Sequence, residues 1–278
     1  MKNTLGVIGL GNMAGALLSG LKNSSIINDA ELFGYDIQAE NASSSAFVTL
    51  LDSEREVAQR CKYVLLAVKP QNVGEVLFKI TPVLTDESVI ISICAGISID
   101  FIRAKTSTRQ KTVQVMPNTP MMYGEGASTI AFTDNLNTGE RDFARGVIDS
   151  CGISRELPAD KMNESICING SSPAFIFAFA KCFVDYARSQ SIDEDVALDL
   201  FAQTLKGAAV MLSEKIMTAD ELIAQVSSPG GTTVAGLAAL QQHGFSDAVK
   251  AACEACTKRA YELGEIFPIL ERRENVYQ

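Results

Sequence analysis

The chain has 278 residues, 47% of them hydrophobic, and a formal net charge of −9. This length allows a substantial core and predicts two domains. The acidic balance argues against nucleic acid and anionic membranes as partners, because both bind lysine- and arginine-rich surfaces, and it favours a soluble protein with small ligands.

The first half of the chain alternates short apolar runs with helix-like polar stretches. The strand candidates are rich in Val and Ile and are bounded by turn residues: "TLGVIGLG", "ELFGYD", "YVLLAV", "SVIISICAG", "TVQVMP" and "ASTIAF". Such alternation predicts an α/β domain with a parallel sheet wrapped by helices. Long helical patterns follow from about residue 160, so we expect domains over residues 1–159 and 160–278, the second all-α.

A glycine-rich turn follows the first strand in "GVIGLGNMAGALLSGL". Gly9, Gly11 and Ala14 form a GxGxxA pattern after an apolar strand and at the start of an amphipathic helix, which is the context of a dinucleotide site. Gly9 permits the tight turn, Gly11 lets a diphosphate approach the backbone, and Ala14 allows close helix–strand packing. The other residues of this turn assigned to the cofactor site are Leu10, Asn12 and Met13.

Asp36 ends the second apolar run, a little over the roughly twenty residues past the glycine pattern at which an acidic residue contacts the adenosine ribose. A carboxylate there repels a 2′-phosphate, and "DIQAENASSS" contains no basic residue that would hold one. This turn therefore favours NADH over NADPH. The alternative is an aspartate that only starts a polar turn.

Three later turns follow predicted strands, where ligands of open parallel sheets bind. "AVKPQ" begins at Ala67, "SICAGIS" surrounds Ala95, and "VMPNTP" contains Asn118, whose side chain can bond backbone groups on both sides. Lys69 could equally be a solvated loop residue. From these turns we assign to the cofactor site Ala67, Val68, Lys69, Pro70, Ala95 and Asn118.

The stretch "VSSPGGTTVAGLAAL", residues 226–240, is a loop that leads directly into a helix. Its glycines permit close approach to a ligand, and the first N–H groups of the helix attract a small anion. The alternative is a Ser or Thr N-cap after a Pro-Gly turn. The stretch alone leaves both interpretations open.

Taken together, GLGNMAGAL, AVKP, MPNTP with a following GxG, GSSPAF and SPGGTTVAGL resemble the pyrroline-5-carboxylate reductase family over nearly the whole chain. The resemblance implies a Rossmann-type domain that binds NADPH or NADH, followed by a helical domain for dimerisation and substrate binding. It also implies that the helical domain interleaves with a second subunit, so that two chains build each active site.

The resemblance further implies that Gly230, Gly231, Thr232 and Thr233 hold the carboxylate of 1-pyrroline-5-carboxylate. The Thr233 hydroxyl would lie near the ring nitrogen and act in catalysis. Glu214 in "MLSEK" matches a family glutamate near the substrate, although a glutamate late in a helix is more often simply solvated. The product would be L-proline.

The chain departs from the family pattern at three places. Gln114 stands where a basic residue is frequent, "GSSPAF" differs from the usual motif, and Asp36 stands where many bacterial members have a basic residue.

Two other functions compete with the reductase. One is a related Rossmann reductase acting on another cyclic imine or on a β-hydroxyacid, and Lys181 is the candidate acid–base residue for the β-hydroxyacid reaction only. The other is a dinucleotide-binding regulator without turnover.

The remaining reactive side chains do not indicate a metal site. The seven cysteines are scattered, and the CxxC of Cys253 and Cys256 lies in a helical pattern, so we expect reduced structural thiols. His243 precedes Gly244 at a predicted helix end. No apolar run reaches the length that spans a bilayer, and we expect a cytoplasmic homo-oligomer with no nucleic-acid or membrane partner.

Overall fold

The computed structural model describes residues 2–38 and 47–274, the last ten of these as backbone alone. The chain divides into two compact units, Met1–Ser171 with Cys256–Gln278, and Ser172–Ala255. The first unit contains the sheet and the second is helical, which confirms the predicted fold class.

Among the described residues, eight strands form one sheet in the order β3-β2-β1-β4-β5-β6-β7-β8. Every neighbouring pair is parallel except β6 with β7. Their bounds are β1 Asn3–Ile8, β2 Ala30–Tyr35, β3 Thr49–Leu50, β4 Tyr63–Leu66, β5 Val89–Ser92, β6 Lys111–Met116, β7 Gly126–Phe132 and β8 Gly152–Glu156.

Two of these strands, β3 and β8, have no counterpart among the six that the sequence predicts. β3 is only two residues long and lies at the edge of the sheet. β8 has the sequence GISRE, in which the buried residue is Ser154 and Ile153 is exposed. Neither strand has the apolar pattern that identifies a buried strand, because edge strands bury little surface.

Helices cover both faces of the sheet. Alternate strand residues point to opposite faces, so Leu65 packs in one core and Leu66 in the other. The first core is closed by α1 and α5, and the second by α2, α3 and α4. Their bounds are α1 Asn12–Lys22, α2 Glu54–Arg60, α3 Val73–Ile80, α4 Ile99–Lys105 and α5 Thr138–Asp149.

A buried ion cluster lies at the amino-terminal edge of the sheet. Glu140 is 1% exposed, and its Oε1 lies 3.0 Å from Lys62 Nζ and 2.9 Å from Lys111 Nζ. Its Oε2 accepts a hydrogen bond from the Asn137 N–H, which completes a capping box on α5. Burial opposes ionisation, but the hydrogen bonds from Lys111, Lys62 and Asn137 hold the pKa of Glu140 below its usual range.

We expect Glu140→Gln to lower the free energy of unfolding by about 2 kcal/mol near neutral pH, the scale of a hydrogen bond to a charged group. A lowered folded-state pKa gives stability that is present above the unfolded pKa of about 4.3 and is lost as pH falls through the folded value. The difference between wild type and variant should therefore shrink below about pH 4 in urea titrations. A gap that stays constant with pH would contradict this role.

The second unit contains four helices and the start of a fifth. They are α7 Ser172–Ser189, α8 Glu194–Ser213, α9 Ala219–Gln225, α10 Thr232–Gln242 and α11 Phe245–Glu274, of which Phe245 to Ala255 belong to this unit. The predicted continuous helix before them is interrupted: α6 Met162–Ser165 runs into a π-helical turn, Ile166–Gly170, and α7 begins anew with Pro173 in its first turn.

Apolar side chains of this unit are exposed in a single chain. Phe177 and Leu200 are each 66% exposed, and none of the residues of α8 is buried. The expectation about bilayer length was wrong: by length and composition alone, Glu194–Ser213 and the stretch Ala159–Ser189, which includes α6, the π-helical turn and α7, are long and apolar enough to cross a bilayer. The expectation considered uninterrupted apolar runs, whereas these helices carry scattered charges within a hydrophobic average.

The small sequence signals in the helical region are found where they were expected. His243 is the C-cap of α10, and Gly244 follows with φ of 74° in the left-handed region. Cys253 and Cys256 lie in α11, and all seven cysteines are free thiols. Burial raises the pKa of Cys94 to about 11 and that of Cys61 to about 12, so both remain protonated.

Candidate cofactor and substrate sites

The carboxyl ends of the parallel strands bring the predicted cofactor turns to one edge of the sheet. β1 is followed by Gly9, β2 by Asp36 and β4 by Ala67, and these three strands are neighbours. The chain order reverses between β1 and β4, which makes this a topological switch point. Ligands of doubly wound sheets bind in the crevice at such a point.

The glycine turn is shaped as the sequence predicts. Gly9 has φ of 92°, and a Cβ there would lie 2.7 Å from the Ala67 carbonyl oxygen, so only glycine fits. A Cβ at Gly11 would meet no protein atom within 4 Å, which leaves open space in front of this backbone. Gly11 is the N-cap of α1, whose first turn contains no acidic residue, and Ala14 is buried. These features fit a bound diphosphate.

Asp36 joins the ends of β1 and β2. Its Oδ2 accepts a hydrogen bond from the Leu10 N–H at 2.6 Å, and its Oδ1 accepts one from the Gln38 N–H at 2.8 Å. The carboxylate is therefore oriented by the glycine turn that it borders. The rest of the turn after β2, residues 39–46, lies outside the described residues.

A cavity of about 340 Å³ opens at this edge. Six predicted cofactor residues line it: Gly9, Gly11, Asp36, Ala67, Val68 and Lys69. The other predicted residues are not part of this lining: Leu10, Asn12, Met13, Ala14, Pro70, Ala95 and Asn118. Of these, Asn12 and Ala95 are exposed, whereas Leu10 and Ala14 are buried in the core.

Sequence reasoning missed other parts of the lining, including Gln38, Asn72, Glu54 and Lys79. One signal for Glu54 was present in "DSERE", since a serine followed three residues later by a glutamate is typical of a helix N-terminus. A helix start in that position belongs at the carboxyl edge of the sheet. Lys79 lies on the third helix and has no comparable signal.

Asn118 has a structural role that the sequence indicates only in part. Its Oδ1 accepts from the Ala127 N–H at 2.9 Å, and its Nδ2 donates to the Asn169 carbonyl oxygen at 3.0 Å. Asn169, in the π-helical turn, donates in turn to the carbonyl oxygens of Met116 at 2.7 Å and Ala127 at 3.0 Å. The two amides fix the turn after β6, so the Asn118 side chain is occupied by backbone groups.

The predicted substrate residues lie in the second unit. Gly230 has φ of 73°, and Gly231 is the N-cap of α10 with no side-chain hydrogen bond at the cap. Thr232 and Thr233 are the first two residues of the helix, so neither is its N-cap. The N-cap alternative for these threonines is therefore wrong, and the helix N-terminus is left without a side chain that caps it. Glu214 is exposed at the C-cap of α8.

Two residues that the sequence analysis singled out have local partners. Gln114 Oε1 accepts from the Ile99 N–H at 3.3 Å and thereby supports the start of α4. Lys181, the candidate for β-hydroxyacid chemistry, pairs with Asp185 one helical turn later and its side chain is 72% exposed. This pairing is the ordinary arrangement of a helix surface.

Two family profiles match the chain. Residues 159–263 match "Pyrroline-5-carboxylate reductase dimerisation", and residues 4–96 match "NADP oxidoreductase coenzyme F420-dependent". A pyrroline-5-carboxylate reductase from Corynebacterium melassecola is 31% identical over 94% of this chain and 99% of its own.

Solved structures agree with these matches. A pyrroline carboxylate reductase from Plasmodium falciparum with NADP bound has a TM-score of 0.83 at 30% identity, covering 94% of this chain and 98% of its own. A pyrroline-5-carboxylate reductase from Coxiella burnetii has a TM-score of 0.88 at 25% identity, covering 95% and 99%. The likeness spans both units of the chain.

Proposed function

This chain belongs to the pyrroline-5-carboxylate reductase family, and we propose that it reduces 1-pyrroline-5-carboxylate to L-proline with NADH or NADPH. The observation that carries the proposal is the match over 94% of the chain, together with two family profiles whose ranges include the dinucleotide turn and the SPGGTT loop. The purified protein should oxidise the reduced cofactor only when pyrroline-5-carboxylate is added. Cofactor binding without this turnover would instead favour a regulatory dinucleotide-binding protein.

In this reaction the residues of the chain mainly bind and orient the two reactants. When bound, the reduced nicotinamide supplies a hydride to the imine carbon, which is already electrophilic because the ring nitrogen is protonated. The glycine turn binds the diphosphate, and the backbone N–H groups after Gly230 bind the substrate carboxylate. The Thr233 hydroxyl orients the ring nitrogen. Alignment of two bound reactants can contribute on the order of 7 kcal/mol or more, so strong acid catalysis is not required.

We propose that NADH is used at least as well as NADPH, because Asp36 borders the glycine turn in the cofactor cavity. Asp36→Ser should move the ratio of kcat/KM values toward NADPH. Asp36→Asn is the matched control, since it keeps an acceptor for one backbone N–H but removes the charge, and it should move the ratio in the same direction. A wild-type enzyme that strongly prefers NADPH would refute this assignment.

The active form is proposed to be a dimer or a multiple of dimers, with the site completed by a second copy. The apolar residues exposed on α7 and α8 in a single chain support this proposal, because large exposed apolar surfaces mark sites of interaction with another protein. Sedimentation at assay concentrations should show no monomer. A fully active monomer would contradict the proposal.

We also place the enzyme in the cytoplasm, where its seven free thiols stay reduced.

A further inference from the structure

Glu54 is a buried carboxylate in the wall of the cofactor cavity. It is the first residue of α2 and is 9% exposed. Ser53 fixes this position, because its Oγ accepts a hydrogen bond from the Glu56 N–H at 3.1 Å. The positive end of the helix offsets part of the carboxylate charge. A buried carboxylate also needs a hydrogen-bonded partner, and Lys79 Nζ donates to its Oε1 at 2.8 Å.

Lys79 is already held by two acidic side chains. Its Nζ lies 2.8 Å from Glu54 Oε1 and 2.8 Å from Glu75 Oε1. Hydrogen bonds to these carboxylates, first to Glu54 and then to Glu75, raise the pKa of Lys79 above its usual range. Lys79 therefore stays charged, but its charge is compensated within the protein. A phosphate is held best by cationic groups that can direct their donors to it.

The whole lining of the cavity has an acidic balance. Among the described residues, the side chains of the lining that are charged at neutral pH are three acids and two lysines, Asp36, Glu54, Glu75, Lys69 and Lys79, which sum to one negative charge. The two glutamates of the lining differ in solvent exposure, since Glu54 is buried in the wall whereas the Glu75 side chain is 68% exposed. A charge acts more strongly where solvent screens it less. Glu54 should therefore influence a bound ligand more than Glu75.

We propose that Glu54 is a second specificity-determining residue for the adenosine ribose, in addition to Asp36. It accepts a hydrogen bond from a ribose hydroxyl and repels a 2′-phosphate, while Lys79 holds it in position and limits the repulsion. This inference rests on one part of the proposed function, namely that the cavity binds the dinucleotide. It does not depend on which imine is reduced.

The test is a fluorescence titration of the full-length protein with NADH and with NADPH, without substrate. Glu54→Gln, which keeps the side-chain shape, should change the ratio of the two Kd values in favour of NADPH on the order of tenfold. Lys79→Met, which leaves the carboxylate charge uncompensated, should change the ratio in the opposite direction. It also provides an independent test if Glu54→Gln folds poorly.

Glu75→Gln is the matched control, because it removes the other acidic partner of Lys79 from a more exposed position. It should change the ratio much less than Glu54→Gln. An unchanged ratio in Glu54→Gln would overturn the proposal, and so would an equal shift in Glu75→Gln, which would indicate only the overall charge. Absence of turnover with pyrroline-5-carboxylate would overturn the proposed reaction instead and leave these binding ratios intact.

Discussion

Replacing Thr233 by alanine is expected to lower kcat/KM about ten- to a hundredfold, with the Kd for the cofactor unchanged. This is the scale of one hydrogen bond lost in a closed site. Gly231, not a threonine, is the N-cap of α10, so the Thr233 hydroxyl does not cap this helix. The substitution therefore removes no helix cap, and the Tm of the variant should stay close to that of the wild type.

Two companions make this experiment decisive. Thr233→Ser keeps the hydroxyl and should restore most of the activity. Thr232→Ala should be nearly neutral, since we assign to that residue only its backbone N–H, which alanine retains. If Thr233→Ala were fully active but less stable, the hydroxyl would have a structural role and the catalytic assignment would be wrong.

Gly11→Ala is expected to weaken cofactor binding by about ten- to a hundredfold while leaving the Tm of the cofactor-free protein unchanged. The added methyl group meets no protein atom within 4 Å, and the backbone φ of −71° suits alanine. It would instead stand where the diphosphate approaches the backbone. Loss of that contact costs the hydrogen bonds of the first N–H groups of α1.

Gly9→Ala is the contrasting variant for this test. Its Cβ would lie 2.7 Å from the Ala67 carbonyl oxygen at a φ of 92°, so the turn must move and the Tm of the cofactor-free protein should fall. Calorimetric titration and thermal melts of both variants separate ligand contact from backbone strain. Wild-type affinity in Gly11→Ala would mean that the diphosphate binds elsewhere.

The sequence predicts those parts of the fold that depend on local chemistry. Gly9 is recognisable because a sharp turn after an apolar strand needs a residue that tolerates positive φ, and His243–Gly244 is recognisable as a helix end. β8 is not recognisable as a strand in the sequence, because its buried residue is a serine. Such an edge strand is specified by its pairing with β7 rather than by its own composition.

The candidate site was predictable to a similar extent. Asp36 and Gly9 lie at the ends of strands, whose order along the chain is visible in the sequence. Glu54 and Lys79 meet across 25 positions of sequence through the packing of two helices, and no periodicity reports that pairing. Asn169 likewise reaches the turn after β6 from 53 residues away. Contacts of this kind arise from tertiary structure alone.

The two charged clusters of the first unit lie at opposite edges of the same sheet, and this separation affects how the protein can evolve. Lys62, beside Glu140, precedes β4, and Ala67, in the cofactor cavity, follows it, so about 16 Å of strand lies between them. Effects of substitutions that far apart usually add without interaction. Substitutions that change the ligand preference at the carboxyl ends of the strands can therefore be selected without loss of the folding stability that the Glu140 cluster contributes at the amino ends.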